Sequence, residues 1–568
     1  MSNASKASKT LTKLQQQFPQ AVLAHHADHG DDTVTVSRES WREMSHFLRD
    51  DADLRYDFLM DVTAVDYLPM GRTPRYEVVA HLYSSSHNQR LRLKAPVPEA
   101  DPHIDSLMPV WKGANWFERE VYDMFGLTFD GHPDLRRILL YEGFEGHPLR
   151  KDYPQEKEQP LDHNAFDPSF YENKLHEQGG ETRHMLLHMG PSHPAMHGVI
   201  HLTLELDGET ILDGDTEIGY LHRAFEKESE SHTYTQVIPY TDRLNYVSPL
   251  INNVAYVLAV EKLFDVETPE RCQYVRVIVS ELSRITDHLT CVGANAMEMG
   301  AFSVFFYFIK AREEVWRLIE SICGARLTTT YTRVGGVMAD LPATFPAGLQ
   351  QVFQALHSAM HDVEQLLQKN RIFYDRMRGT GMISSPDAIA LSFTGPVLRS
   401  TGVNYDVRKA NPYLVYERLD FEVPLGEQGD NYDRYLVRME EIRQSVRIVE
   451  QCMAQMPEGP VQLDDTRMTM PSKADVYGTI EGLMNHFKLI IEGTQPPAGE
   501  AYFPVEGANG ELGFYIISDG TGRPYRCRVR PPCFALMQGL QQMIKGGMVA
   551  DIVPTFGSIN MIAGENDR

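Results

Sequence analysis

Apolar positions change their spacing along this chain, and the change divides it. Early on they alternate. Residues 33–36, Thr-Val-Thr-Val, place every second side chain on one face, as a half-buried strand requires. Residues 75–83 and 91–95 repeat the pattern and predict paired strands, while residues 41–50 carry helical spacing. Residues 1–30 precede this region and predict a frayed leader. Residues 154–180 are polar, hold Pro160, Pro168 and the pair Gly179-Gly180, and show little periodicity, which predicts a linker. Beyond it, residues 184–189 and 200–206 read as strands. The spacing then becomes helical over 250–264, 269–297, 301–323, 344–370 and 431–455. Two further helices, near 474–487 and 533–546, flank a strand pair around 502–505 and 513–517. No internal repeat is visible. The expected division is a leader (1–30), a small α+β domain (31–154), a linker (155–180), and a mainly α-helical domain with antiparallel β subdomains (181–568).

Composition adds limits. At 568 residues, 42% hydrophobic and 23% charged, the chain can bury the cores of at least two domains. A net charge of −24 argues against nucleic acid and against a polybasic membrane anchor. The nearest approach to a membrane span, residues 301–309, is about half of the ~18 apolar residues needed. The polar N-terminus has no signal-peptide core. A soluble, cytoplasmic chain is expected, attached to a membrane only through partner chains. Cysteines stand at 272, 291, 323, 452, 527 and 533, with no C-x-x-C pair among them. Two thiolates at that spacing are what clusters and structural zinc usually use. Structural thiols are therefore expected, and any electron carrier belongs to another chain.

The candidate chemistry lies in one turn. Gly190-Pro191-Ser192-His193-Pro194-Ala195-Met196-His197-Gly198 is punctuated by glycine and proline and carries two histidines. Asp242-Arg243-Leu244-Asn245-Tyr246 follows about fifty residues later. Taken singly, His197 reads as a turn histidine, Tyr246 as a core or interface aromatic, and Glu298 as helix surface. A zinc site on His193 and His197 would want a helix, which Pro194 and Gly198 oppose; no glutamate follows His193. Separately, Glu118-Arg119-Glu120-Val121-Tyr122-Asp123-Met124-Phe125-Gly126 leads into Gly131-His132-Pro133-Asp134-Leu135-Arg136-Arg137 and Gly146-His147-Pro148-Leu149-Arg150-Lys151-Asp152-Tyr153-Pro154. This Arg/Asp/Glu mixture suits charge-assisted hydrogen bonds between chains.

That ordered series resembles the signature of the 30-kilodalton-type subunit of respiratory complex I (NADH–quinone oxidoreductase), the C-type subunit of bacteria. Residues 184–568 resemble the 49-kilodalton-type or D-type subunit, through the loop above and Ile218-Gly219-Tyr220-Leu221-His222-Arg223-Ala224-Phe225-Glu226-Lys227. Arg333-Val334-Gly335-Gly336-Val337, the stretch 400–409, Gly510-Glu511-Leu512-Gly513-Phe514-Tyr515 and Asp567-Arg568 extend the match. Together they resemble the fused C/D form found in some bacteria. The resemblance implies a C-like docking module without a cofactor. It implies a D-like domain resembling the nickel–iron hydrogenase large subunit without its metal site. The chain would lie at the cytoplasmic face of the inner membrane. Its partners would be a terminal-cluster subunit (B-like), a two-cluster ferredoxin-like subunit (I-like), a G-like subunit and a membrane H-like subunit. Iron–sulfur clusters, FMN and NADH would sit in those partners, with quinone as substrate and no cofactor on this chain.

The resemblance also implies roles. Quinone reduction takes two electrons and two protons, so the site must hold donors against the ring and then release protons. His197 and Tyr246 match the family's quinone-facing histidine and tyrosine. Glu298 stands where the family usually has an aspartate coupled to that histidine. The carboxylate is kept but lies roughly 1.5 Å further out, which leaves direct contact with His197 open. His193 would shape the loop or touch quinone. Met196, with Met297 and Met299, would line a lipid-like tail or pack the core. Arg223 and His222 would lie near the partner's terminal cluster. A membrane-bound hydrogenase or formate hydrogenlyase subunit is the rival enzyme, but both C-x-x-C pairs that it needs are absent. A pure scaffold is the other rival. Ubiquinone and menaquinone would meet the same donors.

Overall fold

A computed structural model describes residues 9–159 and 184–568. The expected linker lies largely outside the described residues. The N-terminal unit begins earlier than its alternating pattern suggested. Helix α1 (Lys9–Gln17) buries Thr10, Leu11 and Leu14, and the Thr10 hydroxyl meets the Tyr56 hydroxyl at 2.9 Å. Strand β1 (Val22–His26) then pairs antiparallel with β2 (Thr33–Val36). The expectation of a frayed leader over residues 1–30 is therefore corrected from residue 9 onward. Its short apolar content is what hid it: three buried side chains anchor the helix.

Helix α2 (Trp41–Asp50) follows, then β3 (Phe58–Asp66), β4 (Tyr76–Ser84) and β5 (Gln89–Val97). The sheet order is β1-β2-β5-β4-β3, with only the β2–β5 pair parallel. The two expected strands pair as neighbours, with Ala80 opposite Leu93. Helix α3 (Ala114–Phe125) packs on β3 and is nearly all buried, its acids included. Asp123 shows how such burial is tolerated. One oxygen meets Arg137 at 2.7 Å, and the other accepts the backbone N–H groups of Ile138, Leu139 and Leu140.

The second unit opens on a three-stranded sheet, β6 (Met185–Met189), β7 (His201–Asp207) and β8 (Thr210–Glu217), with β7 in the middle. Long helices then build its core: α4 (Pro249–Phe264), α5 (Glu270–Glu298), α6 (Phe302–Cys323), α7 (Phe345–Leu367) and α8 (Asn431–Gln455). Helix α5 lies against α4, α6 and α8. Two of its buried charges are matched by opposite ones, Arg276 by Glu261 at 2.7 Å and Glu281 by Arg408 at 3.1 Å, and the imidazole of His288, its pKa lowered by burial, meets Glu441 at 2.8 Å. The helix expected over 474–487 is two, Lys473–Gly478 and α9 (Ile480–Ile491), because the Thr479 side chain caps the second by accepting from Gly482 N. The helix expected over 533–546 likewise divides at Gly539 into α10 (Pro532–Gln538) and a short Leu540–Ile544 turn.

The strand pair near 502–517 is β9 (Gly499–Glu506) and β10 (Glu511–Ser518), with a third partner, β11 (Arg526–Arg530), beside β10. Strand β11 joins the units. Its Arg528 reaches Asp61 of β3 at 2.6 Å, and also pairs with Glu120 of α3. Finally α11 (Val549–Ile559) and α12 (Ala563–Asp567) fold back onto the core. Among the described residues no helix is long and apolar enough to cross a membrane.

Candidate active site

The histidine-bearing turn joins β6 to β7. Gly190 stands at φ +91°, and a Cβ there would lie 1.9 Å from the Ile200 carbonyl oxygen, so only glycine fits. His193 is exposed, and its Nδ1 accepts from Ala195 N at 3.3 Å, capping the single helical turn Pro194–Met196. Met196 is fully buried and belongs to the core, so it supports the turn from beneath instead of lining an open surface. His197 ends the turn in left-handed backbone, φ 46°.

Helix α5 delivers Glu298 to that histidine. His197 Nε2 lies 2.9 Å from Glu298 Oε1, with the two side chains 17% and 13% exposed. The additional methylene of glutamate does not break the contact. The second Glu298 oxygen is buried and meets no hydrogen-bond partner among the described residues. Phe556 of α11 stands edge-on to the His197 ring, centroids 6.2 Å apart.

Tyr246 is held by a buried polar knot. Asp287 Oδ2 accepts from Asn245 Nδ2 at 2.8 Å and from Ser248 Oγ at 2.9 Å, and its Oδ1 accepts from Asn560 Nδ2 at 2.6 Å. This pins the chain on both sides of Tyr246. The tyrosine packs against Val247, Cys533 and Ile562. Burial pushes its hydroxyl above the usual value, and the nearby Asp287 carboxylate adds to the rise. A hydroxyl so placed stays protonated. The knot itself was not expected from sequence; polar residues at buried helical positions, Asp287 above all, were its only signal. Beside it, burial lifts Glu565 to about 7, while its Oε1 accepts from Cys533 N at 3.0 Å.

Arg223 and His222 lie together on the C-terminal segment. His222 Nδ1 is 2.7 Å from the Asp567 carbonyl oxygen. Arg223 donates to the Arg243 carbonyl at 2.7 Å and to that of Gly564 at 3.4 Å. Among the described residues it makes no ion pair. Burial and neighbouring Arg243 hold its pKa down, opposed by Asp567. Five of the six cysteines are buried and all six are free thiols. Burial pushes Cys291 up to about 11. Among the described residues no group of three His, Cys, Asp or Glu is placed to hold a metal.

Comparison with known proteins decides the family. Residues 298–568 match the model described as respiratory-chain NADH dehydrogenase, 49 Kd subunit, and residues 34–159 match the 30 Kd subunit. The C/D subunit of NADH-quinone oxidoreductase from Bdellovibrio bacteriovorus is 48% identical over 541 residues, covering 95% of each chain. The chain belongs to the fused C/D subunits of NADH-quinone oxidoreductase. A C/D subunit of Nitrosospira multiformis is 38% identical over 595 residues, 100% of this chain and 98% of its own. The D 1 subunit of Sorangium cellulosum is 57% identical over 385 residues, 68% of this chain and 95% of its own. In this C/D chain, His197 and Glu298 meet directly; Tyr246 stands apart from them, with no hydrogen bond to either among the described residues.

Proposed function

We propose that the D-like half forms part of a quinone-reduction chamber in a proton-pumping NADH–quinone oxidoreductase. The chamber adjoins the terminal iron–sulfur cluster of a B-like partner subunit. The C-like half docks the I-like and G-like partners, and an H-like membrane subunit anchors the assembly at the cytoplasmic face of the inner membrane. Clusters, FMN and NADH belong to the partners; this chain supplies proton donors.

The observation that carries this reading is the His197–Glu298 pair at the lip of the turn. With Nε2 committed to Glu298, Nδ1 is the nitrogen left for a substrate. Donation from Nδ1 requires a doubly protonated ring, whose charge then faces the Glu298 carboxylate. One quinone carbonyl accepts from His197 Nδ1 and the other from the Tyr246 hydroxyl. When two electrons arrive from the partner's cluster, each carbonyl oxygen takes one proton and quinol forms. His197 keeps its Nε2 proton and its bond to Glu298. Tyr246 stays neutral until reduction makes its acceptor strongly basic. Arg223, which makes no ion pair among the described residues, supplies a cation from which a reduced cluster nearby would gain.

The test is NADH-driven quinone reduction in membranes carrying His197→Ala, with assembly followed on native gels. An intact complex that still reduces an artificial upstream acceptor but loses quinone reduction is the expected result. Normal quinone reduction would remove His197 from the chamber.

A further inference from the structure

The stem of the His197 turn carries a chain of titratable side chains that the proposed chemistry does not use. His188 stands one residue before the end of β6, and His201 is the first residue of β7. His188 is opposite Thr203, so the two histidines lie diagonally across the strand pair, within reach of each other. His188 Nδ1 is 3.2 Å from His201 Nε2, and the rings stack with centroids 5.3 Å apart. His201 is 1% exposed, while His188 is exposed on the edge strand of its sheet. On the far side, His201 Nδ1 meets Glu217 Oε2 of β8 at 2.7 Å, and the Tyr220 hydroxyl donates to the same oxygen at 3.3 Å.

These contacts decide which atoms donate. An ionised carboxylate only accepts, so His201 carries its proton on Nδ1 and offers the lone pair of Nε2. His188 Nδ1–H must fill that lone pair, and the Thr203 hydroxyl oxygen, also 3.2 Å from His188 Nδ1, shares the donor. A first proton taken up by His188 enters at its Nε2 and leaves the contact intact. A second proton can enter only at His201 Nε2, the atom that accepts. Two N–H groups then face each other across 3.2 Å, and two stacked imidazolium rings repel. The surroundings set the direction in pH. Burial and His188 hold His201 below the ordinary 6.5, with Asp215 opposing. The closed arrangement therefore binds that proton more weakly than an opened one, so the contact is kept above about 6.5 and lost as pH falls below it. Burial raises Glu217 against Tyr220, Arg136 and Arg119, with Glu142 adding, so its charge is lost in the same direction. The other charges of this face have partners: His184 meets Glu205 at 2.5 Å, and Arg136 of the C-like unit meets Asp215 at 2.8 Å.

We propose that His188 and His201 form an acid-sensitive clasp on the stem of the turn, closed while at most one of the two rings is charged and opened when both are. Opening frees the end of edge strand β6, which runs directly into Gly190 and the turn. His197 then loses its alignment with Glu298, and quinone reduction slows as the surrounding medium acidifies. Both histidines act as positioning residues, since neither touches the substrate. The effect on turnover rests on the quinone reading of the turn; the clasp itself does not.

Hydrogen exchange of the β6 amides tests the clasp directly, read by mass spectrometry on the purified complex and corrected for the intrinsic pH dependence of exchange. Between about pH 8 and about pH 5, protection of residues 185–189 should fall by about fivefold or more. His188→Gln is the comparison, at an exposed position. Its amide can turn either its oxygen or its NH2 toward His201, so it pairs with that ring in both protonation states. In the variant protection should hold across the range, and the ratio of quinone reduction at about pH 5 to that at about pH 8 should exceed the wild-type ratio about twofold or more. Wild-type protection that does not change with pH would overturn the clasp, with or without the variant, and so would an equal loss in His188→Gln. A clasp that opens while turnover follows pH identically in the two proteins would overturn its hold on His197. Failure of the quinone reading shows separately, in His197→Ala, and leaves the exchange result standing.

Discussion

Tyr246 is the residue whose surroundings say most about its task. Its neighbours in sequence, Asn245 and Ser248, are tied to Asp287, so its position does not depend on its own hydroxyl. Tyr246→Phe should therefore leave assembly intact and lower quinone reduction by about 10²-fold or more, the scale of one lost proton donor. Wild-type turnover in an assembled variant would end that role. Glu565 invites a different test. Its pKa is raised from the ordinary 4.5 to about 7 by burial. Folding thus favours the neutral acid. The stability it allows is fully present below about 4.5 and is lost as pH rises to about 7, where the folded state must ionise it as well. The loss is about 3 kcal/mol. Glu565→Gln should flatten that part of the curve, so the variant's melting temperature, compared with wild type, should gain between pH 5 and pH 8. A constant difference across that window would mean that Glu565 titrates normally.

At the scale of elements, spacing of apolar residues located most of the fold. Helices α2 and α8 run over the residues their periodicity marked, α4 and α6 differ from it by one residue at the start, and α5 is shifted by one residue at both ends. What spacing missed has a common cause. Strand β11 reads Arg-Cys-Arg-Val-Arg, a pattern that looks solvated, yet all five residues are buried because Asp61, Glu120 and Glu226 receive Arg526 and Arg528, and Arg530 donates to the backbone carbonyls of Met60, Ser392 and Glu511. Hydrophobic periodicity reports transfer from water and cannot see ion pairs made between segments far apart in the chain. The same blindness hid the Asp287 knot behind Tyr246. The turn from β6 to β7, by contrast, was legible because glycine and proline declare their backbone needs locally. Gly190→Ala tests that reading. Its Cβ would strike the Ile200 carbonyl oxygen, so the turn must shift and carry His197 away from Glu298. Quinone reduction should fall at least about tenfold while transfer to an upstream acceptor persists. Unchanged turnover would show that the turn tolerates displacement.

The whole molecule poses the question of what makes one body of two units. The strongest clamp is ionic and dry. Arg528 is 1% exposed and holds Asp61 through two nitrogens at 3.0 and 2.6 Å, with Glu120 and Glu226 completing its shell. Arg526 adds a hydrogen bond to Thr63 at 3.2 Å, and Glu500 receives Lys94 at 2.6 Å. Desolvating so many charges costs about as much as their attraction returns, so the clamp specifies the docking geometry more than it adds net stability. Breaking it is another matter. Arg528→Met removes the shared cation and leaves Asp61 unmatched in a dry interface, a cost of about 3–5 kcal/mol. The variant should melt well below wild type, and limited proteolysis should degrade it faster than wild type. Replacing the acid too, as Arg528→Met with Asp61→Leu, removes the stranded charge and should restore a good part of the loss. Recovery in the double variant would identify the single variant's defect as uncompensated charge. A single variant that melts like wild type would mean that the apolar contacts between the units carry the junction alone.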